Sequence, residues 1–183
     1  MAIKYSELSK YISRVEKLSI CFEDGHYDNY VLLSDIPEGK YDELYIYGVG
    51  MVDVEFPLDV YSNPKEMPQR ISLKDGFYLG CGLEIVVHEE PRDIKRENED
   101  GLTFGDLRNY LQIGRNFSIV IKEDWSEEFY EWRQDIPEKY DRMYVYGIGM
   151  VENLEEIRKV TLPCLLDSNL NKKMRIVLSE KPR

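Results

Sequence analysis

Asp35-Ile36-Pro37-Glu38-Gly39-Lys40-Tyr41-Asp42-Glu43-Leu44-Tyr45-Ile46-Tyr47-Gly48-Val49-Gly50-Met51-Val52 returns later in the chain as Asp135-Ile136-Pro137-Glu138-Lys139-Tyr140-Asp141-Arg142-Met143-Tyr144-Val145-Tyr146-Gly147-Ile148-Gly149-Met150-Val151. Upstream, Leu8, Tyr11, Ser19 and Ile20 match Leu107, Tyr110, Ser118 and Ile119. The offset is 99 almost throughout and 100 around Asp-Ile-Pro-Glu. So many identities at one spacing mark an internal duplication.

Each copy reads as the same string of elements. Leu8, Tyr11, Ile12 and Val15 fall at the spacing of a helical apolar stripe, with Ser6 placed to cap it, and Leu107, Tyr110 and Leu111 repeat the pattern. Leu18, Ile20 and Phe22 alternate with polar neighbours, as do Phe117, Ile119 and Ile121, which predicts a half-buried strand. A second strand is expected near Tyr30–Leu33 and Phe129–Trp132, then a turn at Asp-Ile-Pro-Glu. A third follows at Leu44–Tyr47 and Met143–Tyr146, and a closing strand at Leu83–Val87 and Met174–Leu178. The alternation of Val52, Val54, Phe56, Leu58 and Val60 extends the pattern after Gly50, and copy one carries extra residues between Tyr61 and Gly82. The predicted fold class is α+β, with two tandem copies of a small helix-plus-antiparallel-sheet module. The boundaries are 1–88 for the first repeat, 89–101 for a charged linker and 102–183 for the second.

At 183 residues, with 43% hydrophobic side chains, the chain has material for two modest cores. It contains no apolar run long enough to span a bilayer and does not open on a secretory signal, which points to the cytosol. Cys21, Cys81 and Cys164 show neither disulfide nor zinc spacing, so no metal or other cofactor is expected. The net charge is −11 and unevenly spread: residues 1–88 hold 8 Lys/Arg against 15 Asp/Glu, residues 102–183 hold 13 against 14. Such a surface repels free nucleic acid and suits a basic protein, although acidity also serves plain solubility.

Features present in both copies are expected to be scaffold, whereas features of one copy are free to serve function. Gly48-x-Gly50 lacks the third glycine or lysine of a phosphate loop and recurs in copy two, so it is read as scaffold. The first hairpin is different. Copy one reads Glu23-Asp24-Gly25-His26-Tyr27-Asp28-Asn29-Tyr30, whereas the matching stretch of copy two has neither glycine nor histidine. Asp24-Gly25 is a tight-turn signal. A two- or four-residue loop would place Cys21, Glu23, His26, Asp28 and Tyr30 on the open face, with Leu18, Ile20, Phe22, Val31 and Leu33 on the core face.

That arrangement makes His26 a candidate for proton transfer, with Glu23 or Asp28 as partner, because imidazole titrates near neutral pH. Asp24, Tyr27 and Tyr30 are candidate RNA or partner contacts. So are Lys10, Arg14 and Lys17, spaced along one helix face and replaced in copy two by Asn109, Ile113 and Asn116. The bland alternative is a solvated turn histidine and the wet face of an amphipathic helix. His88, at a strand end, is the weaker candidate. The spacing of Asp24, His26 and Asp28 matches no dedicated metal cage.

The Leu-x-x-Tyr helix, Ser-Ile strand, Asp-Ile-Pro turn and Tyr-x-Tyr strand resemble small acidic proteins of Firmicute mobile elements. Two such modules with an Asp-Gly-His hairpin in the first further resemble a streptococcal phage-type anti-CRISPR inhibitor of the type II RNA-guided DNA endonuclease. The resemblance implies a bacterial host's cytoplasm as the location, the endonuclease and its guide RNA as partners, and truncation of the guide or interference with its loading as the activity. An acidic protein would dock on the effector's basic channel, and a ribonuclease step would need the effector to present the RNA. From a different class, a non-enzymatic acidic module would block a basic nucleic-acid-binding surface by occupancy. A homodimer stays open.

Overall fold

The computed structural model describes residues 2–13, 17–57, 73–74, 77–92, 94, 100–112, 115–152 and 172–183. Arg14, Val15 and most of the Tyr61–Gly82 segment lie outside the described residues.

Two α+β modules follow one another. The first has a short helix α1 (Tyr5–Leu8), strands β1 (Leu18–Phe22), β2 (Tyr27–Tyr30) and β3 (Tyr45–Pro57), a two-residue β4 (Leu73–Lys74) and a long β5 (Phe77–His88). The second has α2 (Phe104–Arg108), β6 (Arg115–Ile121), β7 (Glu127–Trp132), β8 (Tyr144–Glu152) and β9 (Lys172–Ser179). The sheets run β2-β1-β5-β3, with β4 on β5, and β7-β6-β9-β8. The expected antiparallel sheet is in fact mixed, since β1 pairs with β5, and β6 with β9, in parallel. β5 runs antiparallel to β3 on one side and parallel to β1 on the other.

The helix is shorter than its apolar stripe suggests. It passes into a 3-10 turn over Ser9–Tyr11, and Ile12 is extended at φ −71°, ψ 126°. Ser6 lies inside the helix and the N-cap is Lys4, without a side-chain cap. In copy two Thr103 and Asp106 form a reciprocal capping box. Leu8, Tyr11 and Ile12 are buried as expected, but Ile12 reaches the core as an extended residue.

The helix breaks because its end leaves one module for the other. Ile12 bridges Ile148 of β8, and Leu111 bridges Val49 of β3. Ser13 N–H donates to the Ile148 carbonyl at 2.8 Å, Val49 N–H to the Tyr110 carbonyl at 2.8 Å, and Gln112 N–H to the Val49 carbonyl at 2.9 Å. Ile12 matches Leu111 and Val49 matches Ile148 across the repeat, so the exchange is reciprocal. It explains the twin Gly-x-Gly pairs. An ideal Cβ at Gly149 would sit 2.5 Å from the Ser13 carbonyl oxygen, and one at Gly50 would collide with the Gln112 side chain. The glycines admit the other copy's chain, and one buried cluster runs through both modules.

Candidate functional site at the first hairpin

The β1–β2 turn sets the site. Gly25 N–H donates to the Phe22 carbonyl at 2.9 Å, and Phe22 N–H to the His26 carbonyl at 3.0 Å. Three residues, Glu23-Asp24-Gly25, therefore close the loop, with Gly25 left-handed at φ +83°. An odd loop corrects the expected register by one residue. Ile20 faces Asp28, Leu18 faces Tyr30 and Cys21 faces Tyr27. Since strand side chains alternate, His26, Asp28 and Tyr30 share the face of Phe22, Ile20 and Leu18, while Cys21 and Tyr27 take the other.

The candidates consequently divide. His26 stacks on Phe22, with centroids 4.0 Å apart and planes 10° from parallel, and its Nδ1 lies 2.5 Å from Asp24 Oδ1. The His26 backbone N–H and then its ring hold the Asp24 carboxyl below its usual range. Glu23 turns instead to His88, Oε2 to Nδ1 at 3.5 Å, and His88 stacks on Tyr47 at 3.6 Å. Asp28 accepts from Lys40 Nζ at 2.8 Å and Tyr41 Oη at 2.5 Å, which lower its pKa in that order. Tyr30 Oη lies 2.6 Å from Tyr41 Oη and 3.0 Å from Lys40 Nζ. Tyr41 is 2% exposed, and burial followed by the Asp28 hydrogen bond pushes its phenol up.

The Asp28–Tyr30–Lys40–Tyr41 cluster has its counterpart in Glu128, Tyr130, Lys139 and Tyr140. There Tyr130 Oη donates to Glu128, and Lys139 Nζ lies 3.4 Å from the same carboxylate. A network built twice anchors the hairpin to the Asp-Ile-Pro-Glu turn. By that measure Asp28 and Tyr30 are structural. Tyr27 is exposed, with the Cys21 thiol beside it raising its pKa.

Lys10 and Lys17 do not share one helix face, because the helix that would carry them ends before residue 12. Lys17 is 5% exposed and Lys10 is exposed in the 3-10 turn. Arg14 lies outside the described residues.

What the sequence reading missed is how the two tips correspond. In copy two Asp124 Oδ1 accepts from Ser126 N–H at 2.9 Å and Ser126 Oγ at 2.7 Å. Glu123 Oε1 accepts from Ser179 Oγ at 2.8 Å and Glu180 N–H at 3.0 Å. Asp24 and Glu23 occupy the matching places, and their partners are His26 and His88. The chain has two histidines. Each stands where copy two has a serine pinning a loop carboxylate. Aligning His88 with Ser179 in the sequence exposes that substitution.

Asp24 engages the His26 ring at Nδ1, so Nε2 is the ring nitrogen left for an incoming group. Among the described residues no group of three or more His, Cys, Asp and Glu side chains gathers as a metal site. No helix among them is long and apolar enough to cross a membrane. No family model, curated protein or solved structure matches the chain.

Proposed function

We propose that this protein is an anti-CRISPR, which docks on the guide-loaded type II endonuclease of its bacterial host and acts on the guide RNA through its first hairpin. The observation that carries this reading is the exchange of two loop-pinning serines for two histidines at one tip. That tip alone gains groups that transfer protons near neutral pH. The resemblance supplies the partner, and the net charge of −11 suits a basic channel.

The hairpin is half of a ribonuclease site. Attack by a 2′-hydroxyl needs a base, an acid and a cation at the phosphate. The tip offers the Asp24–His26 pair, while Asp28 is held by Lys40 and Glu23 by His88. Guide shortening therefore requires groups of the bound endonuclease, and naked guide RNA stays intact. A second reading, an acidic module that blocks a basic nucleic-acid-binding surface by occupancy, draws on the surplus of 15 Asp/Glu over 8 Lys/Arg in residues 1–88.

Denaturing electrophoresis of guide RNA, incubated with the protein in the presence and absence of the endonuclease and alongside His26→Ala, tests both. RNA shortened only with the endonuclease, and not by the variant, supports the first. Intact RNA with DNA cleavage lost supports the second. Intact RNA with normal DNA cleavage removes the anti-CRISPR reading.

A further inference from the structure

The second hairpin has its own departures from the repeat. Trp125 occupies the left-handed position that Gly25 fills in copy one, at φ +57°, and is 69% exposed. Phe129 stands where copy one has Asn29 and is 54% exposed. A tryptophan at a position suited to glycine, contributing little to the core, works against the stability of the free chain. Both rings belong to one hairpin whose second strand, β7, ends its sheet and pairs with β6 alone among the described strands.

Charges of both signs surround these rings, with carboxylates in excess. Lys139 and Arg175 balance Glu128 and Glu127. Glu123 and Asp124 are satisfied by hydroxyl and backbone donors, which leave their charge in place, and Glu131 is exposed. One ring already accepts a cation, since Lys173 Nζ lies 3.8 Å from the Phe129 centroid. Aromatic faces beside carboxylates favour ammonium and guanidinium groups. An open strand edge favours an extended main chain.

We infer that β7 and its tip form the docking edge of this protein, and that its occupant is an extended, Lys/Arg-bearing segment of a partner protein. The segment adds to β7 as a further strand, sets a basic side chain against Trp125 and Phe129, and places others near Glu123, Asp124 and Glu131. This rests on the proposed function for the partner's identity and gives the second repeat its role: copy two docks while copy one works.

Trp125→Gly and Phe129→Asn, singly and together, rewrite the tip with copy one's residues. Glycine suits the left-handed position, so the variants keep or raise the melting temperature, a result that a structural role for Trp125 would not give. Titration calorimetry against the guide-loaded endonuclease is expected to show affinity falling about tenfold or more. Unchanged affinity with wild-type binding intact overturns the docking edge and leaves the proposed function standing. A second arm uses a short peptide of alternating lysine and valine, followed by backbone amide shifts. Shifts along β7 in the wild type and not in the double variant support the edge, even where the wild type fails to bind the endonuclease and the proposed function falls. Equal shifts in both proteins, or none in either, overturn it.

Discussion

Arg92 and Arg183 make equivalent contacts, each joining its own copy to the other. Arg92 Nη1 donates to the Tyr47 and Asn109 carbonyls, each at 3.1 Å. Arg183 Nη1 donates to the Tyr146 carbonyl at 3.3 Å and to the Lys10 carbonyl. Tyr47 corresponds to Tyr146 and Lys10 to Asn109, so the two guanidiniums close the reciprocal exchange begun by Ile12 and Leu111.

Charged donors to carbonyls contribute about 1.5–3 kcal/mol where solvent is excluded, but Arg92 is partly exposed and Arg183 exposed. Arg92→Ala should destabilise by about 1 kcal/mol and Arg183→Ala by less, each read as a lower urea midpoint. The transition should stay single, because one buried cluster serves both modules. Two separated transitions would show that the modules fold independently.

The glycine pairs give a sharper test of the same junction. At Gly149 a Cβ meets the Ser13 backbone carbonyl, whereas at Gly147 the nearest atom is the Ser13 hydroxyl at 3.3 Å. A side-chain hydroxyl can turn away, but a backbone carbonyl beside the Ile12–Ile148 bridge moves only with its chain. Gly149→Ala should therefore cost about 1–3 kcal/mol in thermal or urea unfolding, and Gly147→Ala clearly less. Equal losses would argue against the close approach at Ser13.

The duplication, the succession of strands along each copy and most of the core were legible because they depend on local period and on repetition. Leu18, Ile20, Leu83 and Ile85 are all buried, as the alternation implies. The exchange between copies was not legible, because Ile12 satisfies the helical spacing equally well as an extended residue crossing to β8. The hairpin faces were misread for a related reason. Asp24-Gly25 signals a turn without fixing its length, and one residue more or less reverses β2. Tyr27–Tyr30 forms the second strand, earlier than the apolar run Val31–Leu33 suggested, because Asp28 and Tyr30 are drawn inward by Lys40 and Tyr41. A polar network seated on a core tyrosine carries no periodicity to find.

That network separates scaffold from chemistry at the first hairpin. Asp28→Ala removes the acceptor of Lys40 and Tyr41, with an expected loss of about 1–3 kcal/mol. His26→Ala, on an exposed ring, should change stability by less than about 0.5 kcal/mol while abolishing guide shortening in the presence of the endonuclease. Asp28 also has a lowered pKa, so its contribution is fully present above the ordinary carboxylate range and is lost as pH falls through its folded value. An acid titration of stability should accordingly be shallower in Asp28→Ala than in the wild type. If instead His26→Ala proves the more destabilising of the two, the division is wrong.

At the alkaline end Tyr5 sets the expectation. It is 4% exposed and packs edge-on against Tyr41 at 5.4 Å. Burial pushes its phenol up to about 12, with the neighbouring Tyr30 and Asp42 adding to the rise. A folded-state pKa above the ordinary value of 10.0 means that folding favours the protonated phenol. The contribution is fully present below pH 10 and is lost as pH climbs from there toward 12, on the order of 2 kcal/mol across that window. Stability measured by urea unfolding should therefore fall over that interval, and Tyr5→Phe, which keeps the ring and removes the ionising group, should fall less. The variant retains a slope because Tyr41 and Tyr130 are raised as well, chiefly by burial. An unchanged slope in Tyr5→Phe would show that the Tyr5 phenol reaches solvent before the chain unfolds, and that the first module opens locally at its N-terminal helix.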